Sequence, residues 1–192
     1  MSKGICLTGA HATGKSTIAK EMADLLGLNF ITSQASQVFE DYGIDPKETL
    51  PFETRLGVQS VILSRHAAAW DRANDSGVPF ITDRSPIDFI VYLMNDSFVY
   101  EDEHYDQWMQ FISDCLYEWK SSFQHTFLVT PDGQIDTRDV QLKGRPSRIL
   151  QECMNTLYAG ILESYPDSYT IVTGSREERR VLIYDKILQL IY

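Results

Sequence analysis

Gly4-Ile5-Cys6-Leu7-Thr8-Gly9-Ala10-His11-Ala12-Thr13-Gly14-Lys15-Ser16-Thr17 begins as a short β-rich run, passes through a turn of small residues and enters a helical pattern. From Gly9 to Ser16 it satisfies G-x-x-x-x-G-K-[ST] at every fixed position, and the flanking strand and helix supply the context that this spacing requires. Two glycines let the backbone curl so that successive N–H groups point inward, and the positive end of the following helix favours anions. Phosphates are held this way with few side chains. Lys15 is placed to reach the β and γ phosphates of a nucleoside triphosphate, and the Ser16 hydroxyl to ligate Mg²⁺. ATP and Mg²⁺ are therefore the expected cofactors, bound by Gly9, Ala10, His11, Ala12, Thr13, Gly14, Lys15, Ser16 and Thr17. Thr17 either supports the triphosphate or is an ordinary first-turn helix residue. His11 either faces an acceptor or fills a tolerated variable position, and the second reading is preferred.

Working outward, further β-rich runs at Leu28 to Thr32, Val78 to Asp83, His125 to Thr130 and Tyr169 to Thr173 alternate with longer helical stretches. That alternation predicts a parallel sheet covered by helices. Ile18, Met22, Leu25 and Leu26 repeat at helical spacing before the stop signal of Gly27. One long helix is expected from Pro51 to Asn74, a second from Ile87 to Met94 and a third from about Gln107 to Lys120. Neither a repeat nor a Gly/Ser/Pro-rich linker divides the chain, so its 192 residues are read as a single domain, 1–192.

The formal charge of −10 repels a polyanion at long range, which disfavours nucleic acid as a general partner while leaving room for a local basic patch. Cys6, Cys115 and Cys153 lack metal-ligand or redox spacing and are expected to be buried thiols in a reducing compartment. No apolar run is long enough to span a bilayer and the N-terminus lacks a secretory pattern, so a cytoplasmic location is the expectation. A homodimer is compatible with this reading.

A second constellation follows the run at Val78 to Thr82, where Asp83-Arg84-Ser85-Pro86 stands at the carboxyl end of a strand. Open α/β sheets bind ligands at that edge. Asp83 can accept an acceptor's proton or hold a Mg²⁺-bound water, and Arg84 can bridge phosphate oxygens with its planar fork. Ser85 before Pro86 also suits a helix N-cap with proline at the first helical position, and both readings can hold together.

With the phosphate loop, these residues resemble the P-loop nucleoside and nucleotide kinases, and the wider pattern is similar to the ribosylnicotinamide-kinase-like and deoxynucleoside/thymidylate kinase groups. The resemblance rests on Asp83-Arg84-Ser85-Pro86-Ile87-Asp88 and on Pro131 with Asp136 and Arg138. It implies a P-loop NTPase three-layer α/β sandwich, a five-stranded mainly parallel sheet flanked by helices, with a small lid. One departure stands out. Where many relatives place a glutamate after the second strand, Thr32-Ser33-Gln34 offers an amide that cannot take a proton; Gln37 similarly stands where some have an arginine. Asp83 is then left as base or positioning carboxylate, or the acceptor chemistry differs.

Arg138, Lys143, Arg145 and Arg148 concentrate positive charge in an acidic chain, with Gly133 and Gly144 around them. A lid at about 131–148 would use such arginines, Arg138 and Arg145 foremost, to neutralise charge on the transferred phosphoryl group. The bland alternative is a solvated loop balanced by Asp132, Asp136 and Asp139. Thr173-Gly174-Ser175 either recognises adenine through its backbone, as the resemblance implies for Gly174 and Ser175, or is a plain strand-to-helix connection. Trp70, Tyr92 and Trp108 are read as core in preference to flanking an acceptor base. The expected activity is phosphoryl transfer from ATP to a nucleoside or (deoxy)nucleoside monophosphate, with Lys15, Asp83, Arg84, Arg138 and Arg145 as catalytic candidates and Ser16 and Asp83 on the metal. A kinase of a hydroxymethylated base in DNA and a nucleotide-hydrolysing switch are the alternatives.

Overall fold

Buried on both faces, the apolar run Gly4–Thr8 can only be an interior strand of a covered sheet, and it is the central one. The computed structural model describes residues 4–45, 48–96, 102–131 and 148–191. Its five strands are β1 (Gly4–Thr8), β2 (Asn29–Ile31), β3 (Phe80–Thr82), β4 (Phe123–Val129) and β5 (Tyr169–Val172), in the spatial order β2-β3-β1-β4-β5. All pair in parallel, with Ile5 opposite Ile81 on one side and His125 on the other. The expected runs therefore recur as strands, shorter by a residue or two at most ends except that β4 starts earlier, at Phe123.

Side-chain alternation divides the core in two. Ile5 and Leu7 of β1, Ile81 of β3 and Phe127 and Val129 of β4 face α1 (Lys15–Leu26) and the last helix. Cys6, Phe80, Phe123 and Leu128 face the other cluster, built from α2 (Ala35–Asp41), α3 (Phe52–Ser76), α4 (Pro86–Asp96), α5 (Tyr105–Ser122) and α6 (Arg148–Glu163). The last helix, α7 (Arg176–Ile191), sends Ile183 and Ile187 to the first cluster. The result is helices on both faces of a parallel sheet, the layered α/β arrangement expected from the alternation.

Two details of the sequence reading are corrected. Leu25 is exposed, because the buried stripe of α1 runs through Ile18, Ala19, Met22 and Ala23 and Leu25 falls at its edge. Cys153 is also exposed, since α6 buries Gln151, Met154, Tyr158 and Leu162 and Cys153 lies round the helix from them. Cys6 and Cys115 are buried, and burial pushes both thiols well above their ordinary range. Trp70 is fully buried in the core, Trp108 packs against it half-buried, and no helix among the described residues is long and apolar enough to cross a membrane.

Candidate active site

The turn between β1 and α1 is closed by positive-φ residues: Gly9 at 138°, Ala12 at 57° and Gly14 at 85°. Glycine is required at position 9, where a Cβ would run into the Val129 carbonyl oxygen of β4. Four of the loop's carbonyls, those of Gly9, Ala10, His11 and Thr13, accept side-chain hydrogen bonds. Lys15 Nζ donates to the carbonyls of Gly9 (2.7 Å) and Ala10 (2.6 Å), and Thr13 Oγ1 donates to Ala10 (3.1 Å). Gln151 Nε2 of α6 donates to the His11 carbonyl at 2.7 Å, and Arg179 Nη1 of α7 to that of Thr13 at 3.1 Å. Neither Gln151 nor Arg179 carries a local sequence signal, since each meets the loop from more than a hundred residues away.

Two cavities flank this loop at the carboxyl edge of the sheet. The larger, about 590 Å³, is lined by His11, Ser33, Glu40, Arg55, Gln59, Arg84 and Tyr92, with Phe39, Ile62, Phe89 and Met154 among its apolar walls. The smaller, about 510 Å³, is lined by Ser16, Thr17, Lys20, Thr32 and Asp83. Asp83 and Arg84, adjacent in sequence, thus part company: Asp83 joins Ser16 beside the phosphate loop, and Arg84 faces the larger space. Successive residues leaving an extended strand point to opposite sides, which is the reason for the division.

Asp83 is 5% exposed, and its Oδ1 is buried without a hydrogen-bond partner. A buried carboxylate oxygen with no donor, in the same cavity as a serine hydroxyl, fits a hard divalent cation that takes oxygen ligands. Among the described residues no group of three or more His, Cys, Asp or Glu could hold a metal by itself. Mg²⁺ needs no such group when phosphates and waters complete its octahedron.

Asp88 organises the other side. Fully buried on α4, its Oδ2 accepts from Thr8 Oγ1 (2.8 Å), the Ser85 N–H (2.8 Å) and Ser85 Oγ (3.1 Å), while Oδ1 accepts from Arg84 Nη1 (3.1 Å) and Tyr158 O–H (3.0 Å). The Asp88 carboxylate on the Ser85 N–H is the reciprocal half of a capping box, so Ser85 and Pro86 do open α4. Arg84 Nη1 also donates to Tyr92 O–H at 2.7 Å, and Tyr92 O–H lies 3.3 Å from His11 Nδ1. His11 therefore stands in the wall of the larger cavity. Burial pushes the Tyr158 and Tyr92 phenols up, so both remain protonated at neutral pH.

The β2–α2 turn is set by a histidine that composition does not single out. His66, fully buried on α3, accepts the Gln34 backbone N–H at Nε2 (3.1 Å), and burial together with the Arg84 charge lowers its pKa to about 4. A neutral imidazole accepting at Nε2 carries its proton on Nδ1. Gln34 is not among the residues lining the larger cavity, whereas Glu40, further along α2, is. Gln37 turns to Glu40 and Asp41 on the exposed side of α2. Glu40, Arg55 and Gln59 are cavity residues that no motif marked; Gln59 is 6% exposed with its Oε1 buried and unpartnered.

At the other end of the loop, Ser175 donates both its N–H and its hydroxyl to Glu178 Oε2 (2.7 Å each), a capping arrangement that opens α7. Arg179 Nε donates to the Gly174 carbonyl at 2.7 Å, joining this turn to the phosphate loop. Of the basic residues after β4, Arg148 begins α6; Arg138, Lys143 and Arg145 lie outside the described residues, as does most of the expected lid.

Residues 4–179 match the family model described as AAA domain. The chain belongs to that family. No curated protein matches its sequence. Among solved structures, the chain is similar to a NadR protein in complex with NR, with a TM-score of 0.74 and 17% identity over 98% of this chain and 49% of that one. The chain thus spans about half the length of NadR. It is also similar to the deoxyadenosine kinase of M. mycoides with bound dATP, at a TM-score of 0.67 and 19% identity over 97% and 99% of the two chains. A thymidylate kinase from Candida albicans matches at 0.66 and 14% identity over 98% and 92%. Identities this low establish the fold, which is that of a P-loop kinase, and the groups coincide with those the motifs resemble.

Proposed function

We propose that this protein transfers the terminal phosphate of ATP, with Mg²⁺, to a nucleoside or (deoxy)nucleoside monophosphate. The observation that carries the reading is the placement of His11: a residue of the phosphate loop itself forms part of the wall of the 590 Å³ cavity, so an acceptor seated there meets the end of a triphosphate held by the loop. The neighbours' bound dATP and NR are consistent with such occupants.

In this reading the loop N–H groups and Lys15 bind the triphosphate, and Ser16 with Asp83 holds Mg²⁺, which neutralises phosphate charge when bound. Arg84, held by Asp88 and Tyr92, presents a fixed cation toward the acceptor, and Gln59 and Arg55 offer polar groups to its far end. Apolar walls exclude water, which strengthens each of these interactions. Arg138 and Arg145 close over the transferred group as lid residues, and Gly174 with Ser175 passes beside the donor base. A phosphate acceptor needs no base, while a hydroxyl would find Glu40 and His11 as the proton-accepting groups of the cavity. Incubation with labelled ATP, Mg²⁺ and a panel of nucleosides, nucleotides and hydroxymethylated DNA tests the reading. Labelled product from a small acceptor supports it, and hydrolysis with no labelled acceptor refutes it.

A further inference from the structure

We propose that Gln151 and Arg179 are positioning residues that preset the phosphate loop for its anion, each pinning one peptide plane from behind. The inference rests on the loop being the triphosphate site. A trans peptide is planar, with its C=O and N–H on opposite sides. Gln151 holds the His11 carbonyl at 2.7 Å and thereby directs the Ala12 N–H the other way; Arg179 holds the Thr13 carbonyl at 3.1 Å and does the same for the Gly14 N–H. A flip of either plane would exchange a donor for an acceptor facing the phosphates.

Three observations separate this from a plain helix-to-loop tie. First, Ala12 sits at φ 57°, a left-handed conformation that costs a non-glycine residue about 1 kcal/mol and needs an external hold. The Gln151 bond fastens the peptide leading into it. Second, Arg179 is 2% exposed, forms no ion pair among the described residues, and leaves Nη2 buried without a partner. Burying a guanidinium on carbonyls alone weakens a fold more than it strengthens it. The arrangement has a physical purpose where an anion is bound across the loop, because the cation polarises the Thr13–Gly14 peptide and strengthens what its N–H donates. Third, the two clamps come from α6 and α7, so the helix that follows the expected lid and the helix that follows the base turn meet at one loop.

Calorimetric titration of inorganic tripolyphosphate and of Mg·ATP into the intact protein tests this. Arg179→Met and Gln151→Met should each weaken both ligands by about tenfold or more, the loss of one hydrogen bond that acts on a charged ligand. In turnover the change should fall on KM for ATP, with kcat altered less. Arg179→Lys, which keeps the charge, should stay within about threefold of wild type. Ala12→Gly combined with Gln151→Met, compared with Ala12→Gly alone as its reference, should lose far less affinity than Gln151→Met does in the wild-type background, because glycine adopts the positive φ without cost. A structural tie predicts no such rescue. Methionine variants with wild-type circular dichroism and wild-type tripolyphosphate affinity would overturn the proposal, as would an Arg179→Lys variant as weak as Arg179→Met. Should a methionine variant fail to fold, Arg179→Gln or Gln151→Asn is judged by the same thresholds. A wild-type protein that binds neither ligand would remove the donor-site reading as well, whereas wild-type binding with unaffected variants removes this inference alone.

Discussion

Asp83 and Asp88 lie five residues apart in one short motif, yet their surroundings predict opposite responses to the same substitution. Asp88→Asn exchanges one carboxylate oxygen for an amino group among five donors: Thr8 and Tyr158 hydroxyls, the Ser85 hydroxyl and N–H, and Arg84. Hydroxyls can rotate to accept, but the Ser85 N–H and the Arg84 fork cannot. With the amide oxygen left on Ser85, the amino group faces Arg84, whose charge, on a side chain 16% exposed to the cavity, then loses the fully buried carboxylate that pairs it. Removing one partner of a buried pair costs roughly 3–5 kcal/mol. For a domain of this size that is a fall in Tm of about 6–20 °C. Asp83→Asn, by contrast, relieves an oxygen that has no donor, so the apo protein should keep its stability to within about 1 kcal/mol or gain slightly, while Mg²⁺-dependent transfer collapses. Urea titrations give both stabilities from Cm at constant m, and a labelled-phosphate assay gives the activities. If Asp88→Asn costs less than about 1 kcal/mol, or Asp83→Asn destabilises as much as Asp88→Asn, the division of labour drawn between them is wrong.

Lys15→Ala should abolish transfer; its ammonium also tethers the Gly9 and Ala10 carbonyls, so melting is measured alongside, and normal turnover in a folded variant would refute the donor site. Ser16→Ala should weaken nucleotide binding in Mg²⁺ more than in its absence, and equal losses by calorimetry would remove Ser16 from the metal. Arg138→Ala and Arg145→Ala should each lower kcat by at least about tenfold with a smaller change in ATP affinity, as contacts made in the transition state require; a normal kcat returns that arginine to ordinary surface charge. Acid should destabilise the fold between pH 6.5 and about 4. His66 and His125 are both lowered from 6.5 to about 4, chiefly by burial, so the unfolded chain binds protons that the folded one refuses. Their contribution is complete above 6.5 and is lost as pH falls, by up to about 3 kcal/mol each. A urea midpoint that does not move from pH 7 to pH 5, or a slope unchanged in His125→Gln, would contradict this.

How the residues divide between what could be read and what could not follows from chain distance. The phosphate loop is contiguous, and its conformation is dictated by glycines at 9 and 14 and by the strand and helix beside it, so Gly9 to Ser16 was legible as a string. The five strands were legible too: β1, β3 and β4 are covered by helices on both faces and must be apolar runs, and the edge strands β2 and β5 are short β-rich runs. Ser85 and Pro86 announced a helix start that the Asp88 carboxylate completes within one turn. Tertiary structure decided the rest. Only the parallel order β2-β3-β1-β4-β5 brings Thr8 and Tyr158 to Asp88, and Gln151 and Arg179 to the loop. Such contacts impose no spacing on the sequence, since a glutamine on one helix face is locally the same whether it meets water or a carbonyl. The parting of Asp83 from Arg84 is of the same kind: alternation says that the two point apart, but which one meets Ser16 and which one meets the larger cavity depends on the helices packed at the edge of the sheet.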